Sequence, residues 1–402
     1  MIPKNILKEV ILSQQDMLRV WDQGTIREEE SEIHIEDSFA LLITGVRRCG
    51  KSTLLNQLLK RQKKGYYLNI EDPRLEGFEP SDFLRVDTIM KELYGEGGTY
   101  FFDEIQNVKG WEKFVRYLVD KKEKVVITGS NASLLSRELG TKLTGRHLSI
   151  ELFPFSFKEF LTYHKQKPTR EQFNSYIKTG GFPEYIKKKN PSILYELLSD
   201  IVLKDIAVRF GIRNTHTLNT LAVYLLSNTG KEYSYNSIKE ILHIKSVQSV
   251  INYISYFENA YLVFTVPLFH SSYKKQQVNP KKIYSIDTGL SSVNSASFSE
   301  DTGRILENAV FLELRRKHKE IFYFKNKNEC DFIIKEKGKK NEAIQVCLEI
   351  HDDNREREIR GIIEAMTTCE IREGIIITKD QEDELTIEGK NIKIIPAWKW
   401  FQ

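Results

Sequence analysis

Apolar and polar residues change their spacing several times along this chain, and each change marks an element. From Lys8 to about Arg27 apolar side chains recur at helical spacing among charges (Val10, Ile11, Met17, Leu18, Val20, Trp21), which predicts one or two amphipathic helices. Ser38 to Thr44 is a short apolar run with polar bounds, the pattern of a buried strand. From there to residue 155, strand-like runs at Tyr66–Ile70, Thr99–Phe102, Lys124–Thr128 and His147–Leu152 alternate with helical ones such as Thr53–Gln62 and Lys109–Asp120. Strict alternation predicts an α/β domain over residues 1–155, built on a mostly parallel sheet covered on both faces.

Residues 156–212 turn helical (Phe157–His164, Thr169–Thr179, Ser192–Arg209), broken where Gly180-Gly181-Phe182-Pro183 must end one helix and redirect the chain. Residues 213–290 read as three helices (Thr217–Ser227, Ser237–Leu242, Ser246–Asn259) and two strands (Tyr261–Leu268, Lys282–Ile286), a winged-helix-like order whose third helix would face a major groove. Residues 300–402 predict a second, smaller α/β domain: helix Arg304–Lys317, strands Ile321–Phe324, Asp331–Lys335 and Glu342–Leu348, helix Glu356–Thr367, then strands Gly374–Thr378 and Ile392–Pro396.

Composition adds exclusions. With 40% hydrophobic and 29% charged residues the chain is neither disordered nor fibrous. Its net charge of +4 is too weak to mark a nucleic-acid binder, so any basic surface must be local. Cys49, Cys330, Cys347 and Cys369 form neither a disulfide framework nor a Cys-x-x-Cys pair, which suits a reducing compartment. The amino terminus lacks the apolar core of a signal peptide and no run reaches the roughly 18 apolar residues of a membrane helix, so a cytoplasmic protein without membrane contact is expected.

Chemistry enters at Gly45-Val46-Arg47-Arg48-Cys49-Gly50-Lys51-Ser52-Thr53, which fits G-x-x-x-x-G-K-[ST] between a strand and a helix. Backbone N–H groups from Gly45 through Arg47, Arg48, Cys49 and Gly50 to Thr53 would cradle phosphates, Lys51 would reach the β and γ oxygens, and the Ser52 hydroxyl would ligate Mg²⁺. A strand ending in Asp103-Glu104 supplies one carboxylate to support the metal and a second to deprotonate an attacking water, which favours hydrolysis over transfer. After the next strand, Ser130 or Asn131 is placed to sense the γ-phosphate or the water, although Asn131 would also serve as a plain turn former. Arg146 could deliver a guanidinium to the γ-phosphate, in cis or from a neighbouring subunit, or lie in a surface turn.

Together with Leu68-Asn69-Ile70-Glu71-Asp72-Pro73-Arg74, Ile105-Gln106, Thr128-Gly129 and Gly180-Gly181-Phe182-Pro183-Glu184, these motifs resemble a family of bacterial and archaeal AAA+ ATPases over nearly the whole chain. The resemblance implies a P-loop NTPase sheet of the AAA+ type in the order 5-1-4-3-2, an N-terminal ATPase module and a C-terminal domain of unassigned function. It also implies ATP as the nucleotide, since no Asn-Lys-x-Asp guanine-reading motif occurs.

Two features bear on the C-terminal half. The acid-free stretch from Pro267 to Ser285 carries Lys274, Lys275, Lys281 and Lys282, and the third helix offers Lys245, Ser246, Gln248, Ser249 and Asn252. Residues 245–282 could thus hold duplex DNA by its phosphates and base edges, or serve as a protein-contact surface. Further on, Glu307, Asp331 and the strand Ala343–Cys347 resemble a PD-(D/E)xK nuclease core, in which convergent acids hold Mg²⁺ and a lysine steadies the nucleophile. Gln345 stands where the second acid belongs and Cys347 where the lysine belongs, with Lys335 a candidate replacement, so a nuclease-like fold without nuclease activity is expected.

The expected function is hydrolysis of Mg·ATP coupled to contact with DNA or a protein partner, with homo-oligomer formation open. Two rivals are a nucleotide-gated binding switch with little turnover and an ATP-regulated DNA nuclease.

Overall fold

The computed structural model describes residues 1–130, 145–297, 301–338 and 340–402. Contacts divide the chain into two compact units: Met1–Phe153 with Asn259–Tyr261, and Pro154–Glu258 with Leu262–Gln402.

The first unit holds strands β1 (Ala40–Thr44), β2 (Gly65–Asn69), β3 (Thr99–Asp103), β4 (Val125–Gly129) and β5 (His147–Glu151). All pair in parallel, in the order β2-β3-β4-β1-β5, which is the order expected. Side chains alternate across a strand. Leu42, Leu68, Phe102 and Ile127 therefore share one core with Leu7, Val10, Phe83 and Phe114 of the covering helices. Phe83 stacks on Phe114 at 4.8 Å and meets Phe102 edge-on at 5.8 Å. Side chains of this size each contribute about 1.5–3 kcal/mol by leaving water. Strand register then aligns what matters: Thr44 lies beside Gly129 and Phe102 beside Ile127, so Gly45, Asp103 and Ser130 emerge along one sheet edge. This is the carboxyl edge, where parallel sheets bind ligands.

The second unit begins with helices Phe157–His164, Arg170–Thr179, Pro183–Lys188 and Ser192–Asp200. Ser156 and Glu159 form a reciprocal capping box on the first, and Thr169 caps the second. The single helix expected over Ser192–Arg209 instead changes to π-helical turns at Ile201–Val208. At Gly180-Gly181 the chain turns under strict constraint: the Gly181 N–H donates to Asp287 Oδ2 at 2.6 Å, and its carbonyl accepts from Phe155 N–H at 2.8 Å. Asp287 also receives the Leu290 N–H at 2.7 Å, capping the helix Thr288–Asn294.

Helices Thr215–Ser227, Tyr235–Ile241 and Val247–Asn259 accompany an antiparallel sheet of β6 (Glu232–Tyr233), β7 (Val263–Pro267) and β8 (Lys281–Ser285) in the order β6-β8-β7. Within the lysine-rich stretch, Tyr273–Val278 is helical. The chain ends in a mixed sheet ordered β13-β14-β12-β11-β10-β9. Its strands are β9 (Ile321–Lys325), β10 (Glu329–Ile334), β11 (Glu342–Val346), β12 (Glu373–Thr378), β13 (Asp383–Ile387) and β14 (Lys390–Pro396), with helix Thr302–Lys317 before them and Asp352–Thr368 between β11 and β12. Strand β13 was not expected; it is an exposed edge strand, turned into β14 at Glu388 and Gly389, both at positive φ. Among the described residues, no helix is long and apolar enough to cross a membrane.

Candidate functional site

The loop between β1 and helix Lys51–Lys60 packs against the chain at close range. A Cβ at Gly45 would stand 2.1 Å from the Leu152 carbonyl oxygen, so only glycine fits. Arg27, buried, braces the loop from outside: its guanidinium donates to the Cys49 carbonyl at 2.9 Å and to the Phe153 carbonyl at 2.7 Å. The Cys49 side chain is buried with its thiol pKa raised by burial, and its Sγ lies 3.4 Å from the Leu152 carbonyl oxygen. Cys49 therefore joins the site through its backbone alone. Arg47 lies 3.9 Å from Glu71, and Arg48 holds a left-handed backbone. The helix that follows, Lys51–Lys60, turns its amino end and the positive end of its dipole to the loop.

Lys51 is 4% exposed, and its ammonium donates to the Gly45 and Val46 carbonyls at 3.1 Å each. It stands 3.7 Å from Glu104 Oε1. Asp103 ends β3 fully buried, accepting hydrogen bonds from Ser52, Thr128 and, at 3.2 Å, Tyr67. Burial and the neighbouring Glu104 charge push the Asp103 carboxyl above the usual range, while Thr128, Ser52 and Lys51 pull it back. The loop, Lys51, Ser52, Asp103 and Glu104 thus converge, and the donor set fits a phosphate chain with a hard cation. Backbone N–H groups and one ammonium face the phosphate side, and a hydroxyl beside a carboxylate faces the metal side.

Thr128, part of a motif to which the sequence alone assigns no role, has one in the structure. Its hydroxyl donates to Asp103 and accepts the Glu104 backbone N–H at 3.0 Å, so one side chain sets both acids. Glu104 Oε2 in turn accepts from the Gln106 amide. The signal was available: Thr128 is a hydroxyl at the end of an otherwise apolar strand. We expect Thr128→Val, which keeps shape and removes both bonds, to lower turnover at saturating nucleotide by about 10- to 100-fold. That is the effect of losing a charged hydrogen bond of about 1.5–3 kcal/mol, and steady-state kinetics would show it as a fall in kcat.

Ser130 follows β4, buried, at the same edge, while Asn131 lies outside the described residues. Of the placements open to Arg146, the structure gives a surface one. It sits at the amino end of β5, its carbonyl accepting from Ala40 N–H, and its exposed guanidinium pairs with Asp120 at 2.6 Å. About 13 Å of strand separates Ala40 from the loop. Arg146 therefore does not reach a phosphate held by its own chain.

The basic stretch needs correction. Lys282 is 3% exposed, paired with carboxylates, and unavailable to DNA; Lys274 and Lys275 are exposed. On helix Val247–Asn259, Gln248 donates to Asn252 at 3.0 Å. Lys335 lies over the Phe269 ring, 5.1 Å from its centre. Cys347 has its thiol pushed up to about 12 by burial, so it carries no charge at neutral pH.

A family model described as an AAA domain matches residues 37–161. Two domains of unknown function, DUF8612 and DUF4143, match residues 170–300 and 302–400. An uncharacterized protein of Methanocaldococcus jannaschii is 38% identical over 100% of this chain and 96% of its own. One of Haemophilus influenzae is 30% identical over 90% of this chain and 94% of its own. Among solved structures, AMPPCP-bound DnaA from Aquifex aeolicus is similar over 62% of this chain and 88% of that one, at 14% identity and a TM-score of 0.27. A score that low carries no assignment.

Proposed function

Because the chain belongs to a family of AAA+-type ATPases whose C-terminal domain has no known function, we propose that it binds and hydrolyses Mg·ATP and couples that cycle to a partner of its C-terminal half. The observation that carries the reading is the meeting of Lys51, Ser52, Asp103 and Glu104 at one sheet edge. Ser52 and Asp103 would hold Mg²⁺, which supplies positive charge to the β and γ oxygens when bound. The loop N–H groups bind the phosphates, and Lys51 neutralises charge that grows on the oxygens as the γ-phosphorus is attacked. Water oxygen forms the new bond to phosphorus, the bond to the β-phosphate oxygen breaks, and Glu104 takes the water proton. Gln106 and Thr128 position Glu104 for that step. Ser130 or Asn131 is proposed as the sensor of the γ-phosphate or the water, and any catalytic role of Arg146 belongs to a neighbouring subunit of a homo-oligomer.

For the partner, we propose duplex DNA, held by a winged-helix-like module through Lys245, Lys274, Lys275 and Lys281. Three helices with a small antiparallel sheet support this reading, as do the exposed Lys245, Lys274 and Lys275 and the half-buried Lys281. Four phosphate contacts would weaken binding by roughly 100-fold between 50 and 200 mM salt. We expect duplex DNA to stimulate ATP hydrolysis at low salt and to lose that effect at high salt. A rate indifferent to duplex and single-stranded DNA at both salt concentrations would remove DNA as the partner.

A further inference from the structure

Lys282 has the most unusual surroundings of any lysine described. Its ammonium lies 3.1 Å from Glu307 Oε1, 2.7 Å from Glu329 Oε1 and 2.9 Å from Asp331 Oδ1. Glu307 comes from helix Thr302–Lys317, and Glu329 and Asp331, two apart on β10, face the same side of the sheet. Tyr284, on the same face of β8 as Lys282, donates to Glu307 at 2.7 Å. The acids are themselves held in place. Asp331 Oδ2 accepts the Val346 N–H at 3.0 Å; Gln345 accepts the Asp331 N–H at 3.1 Å and donates to Glu358 at 2.7 Å. The cluster opens on a cleft of about 430 Å³.

These are the acids that a nuclease-like core would give to a divalent metal, and they do not fit one as they stand. Among the described residues no group of three or more acids, histidines or cysteines is arranged to hold a metal ion. Here the centre is filled by nitrogen. Mg²⁺ and Ca²⁺ need oxygens at about 2.0–2.1 and 2.3–2.6 Å, and no such ion shares that space with Nζ. The charge balance points the same way. Burial alone would lower the Lys282 pKa, but Asp331 and its neighbours outweigh it and hold the ammonium well above the ordinary lysine value. Glu307 is raised by burial and by Asp331. Lys282 alone touches all three carboxylates, with Lys325 at 3.9 Å from the outermost, Glu329, so the acids converge on the place a cation would take.

We infer that the Lys282 ammonium is a tethered substitute for a divalent cation: it neutralises the cluster of Glu307, Glu329 and Asp331, excludes metal from it, and fastens β8 to the C-terminal sheet. Metal-dependent chemistry at this cluster is thereby closed in the native chain, and removal of the ammonium opens a cation site. The inference is independent of the ATPase reading.

The test is a Mn²⁺ titration of the full chain without nucleotide, followed by electron paramagnetic resonance and thermal denaturation. Wild type should show no Mn²⁺ site that depends on Asp331. Lys282→Met should gain one site per chain, at least tenfold tighter than any wild-type binding, and its Tm should rise with Mn²⁺ while the wild-type Tm does not. Adding Asp331→Asn should abolish both gains. If Lys282→Met is insoluble, Lys282→Met with Glu329→Gln carries the same test, since Glu329 is the most exposed of the three acids at 39%. Binding of Mn²⁺ by wild type that is lost with Asp331→Asn would overturn the inference. So would a soluble Lys282 variant that gains no Mn²⁺.

Discussion

Glu104→Gln should leave ATP bound and slow its hydrolysis by about 10²–10⁴-fold, the usual contribution of a positioned general base. The amide keeps the shape of the carboxylate and can still pair with Gln106, but it cannot accept the water proton. Lys51→Ala should fail earlier. Its ammonium joins the Gly45 and Val46 carbonyls and approaches Glu104, so its loss removes the phosphate-facing charge and leaves two loop carbonyls without their donor. Nucleotide affinity should fall along with turnover. Equilibrium binding of a fluorescent ATP analogue, with phosphate release measured in parallel, separates the two outcomes. Wild-type hydrolysis in both variants would refute the proposed site. Tight binding with negligible wild-type hydrolysis, with or without DNA, would favour a nucleotide-gated switch instead.

Gly181→Ala should destabilise the second unit by about 3–5 kcal/mol, at the upper end for single substitutions. The added Cβ would lie 2.3 Å from the Phe155 carbonyl oxygen and 2.7 Å from its nitrogen, both backbone atoms. Neither segment of this contact can yield cheaply, since Gly181 is bonded at once to Phe155 and to Asp287. Gly303→Ala is the matched control. That glycine lies in a helix, and its Cβ would meet nothing nearer than 3.4 Å. The control should be neutral or slightly stabilising, because alanine favours helix. Urea denaturation of both variants beside wild type gives the comparison, and equal midpoints would show that the turn tolerates a side chain.

What the sequence discloses here is what local pattern and contiguous motif control. The central parallel strands β1, β3 and β4 are legible because each is a short, buried and mostly apolar run, and the Gly45–Thr53 loop because its chemistry lies in nine consecutive residues. Lys51, Ser52, Asp103 and Glu104 follow from those two signals. What stays hidden depends on partners distant along the chain. Lys282 reads as one of four wing lysines, yet its acids lie 25 to 49 residues further on, and burial on a strand face reverses its meaning. Arg27 braces a loop 22 residues away, and nothing in its own neighbourhood announces that. Arg146 is a different case: its place just before the strand at His147 is legible, and what the sequence leaves open is whether a guanidinium there reaches a phosphate. Strand β13 escapes because an edge strand buries little, so its residues carry scarcely any apolar signal.

Glu104 holds a left-handed backbone, with φ 53° and ψ 43°, between the end of β3 and a short 3₁₀ turn. For a residue with a Cβ this conformation costs about 1–2 kcal/mol, and glycine would adopt it without strain. The architecture alone would be better served by glycine at this position. On the proposed function, the glutamate is kept there for the place its carboxylate occupies, and the Thr128 hydroxyl on its backbone N–H helps keep the strained peptide from relaxing. If Glu104 is the base, the second acid of the sheet edge is a point where this chain sacrifices some stability to keep a side chain aimed.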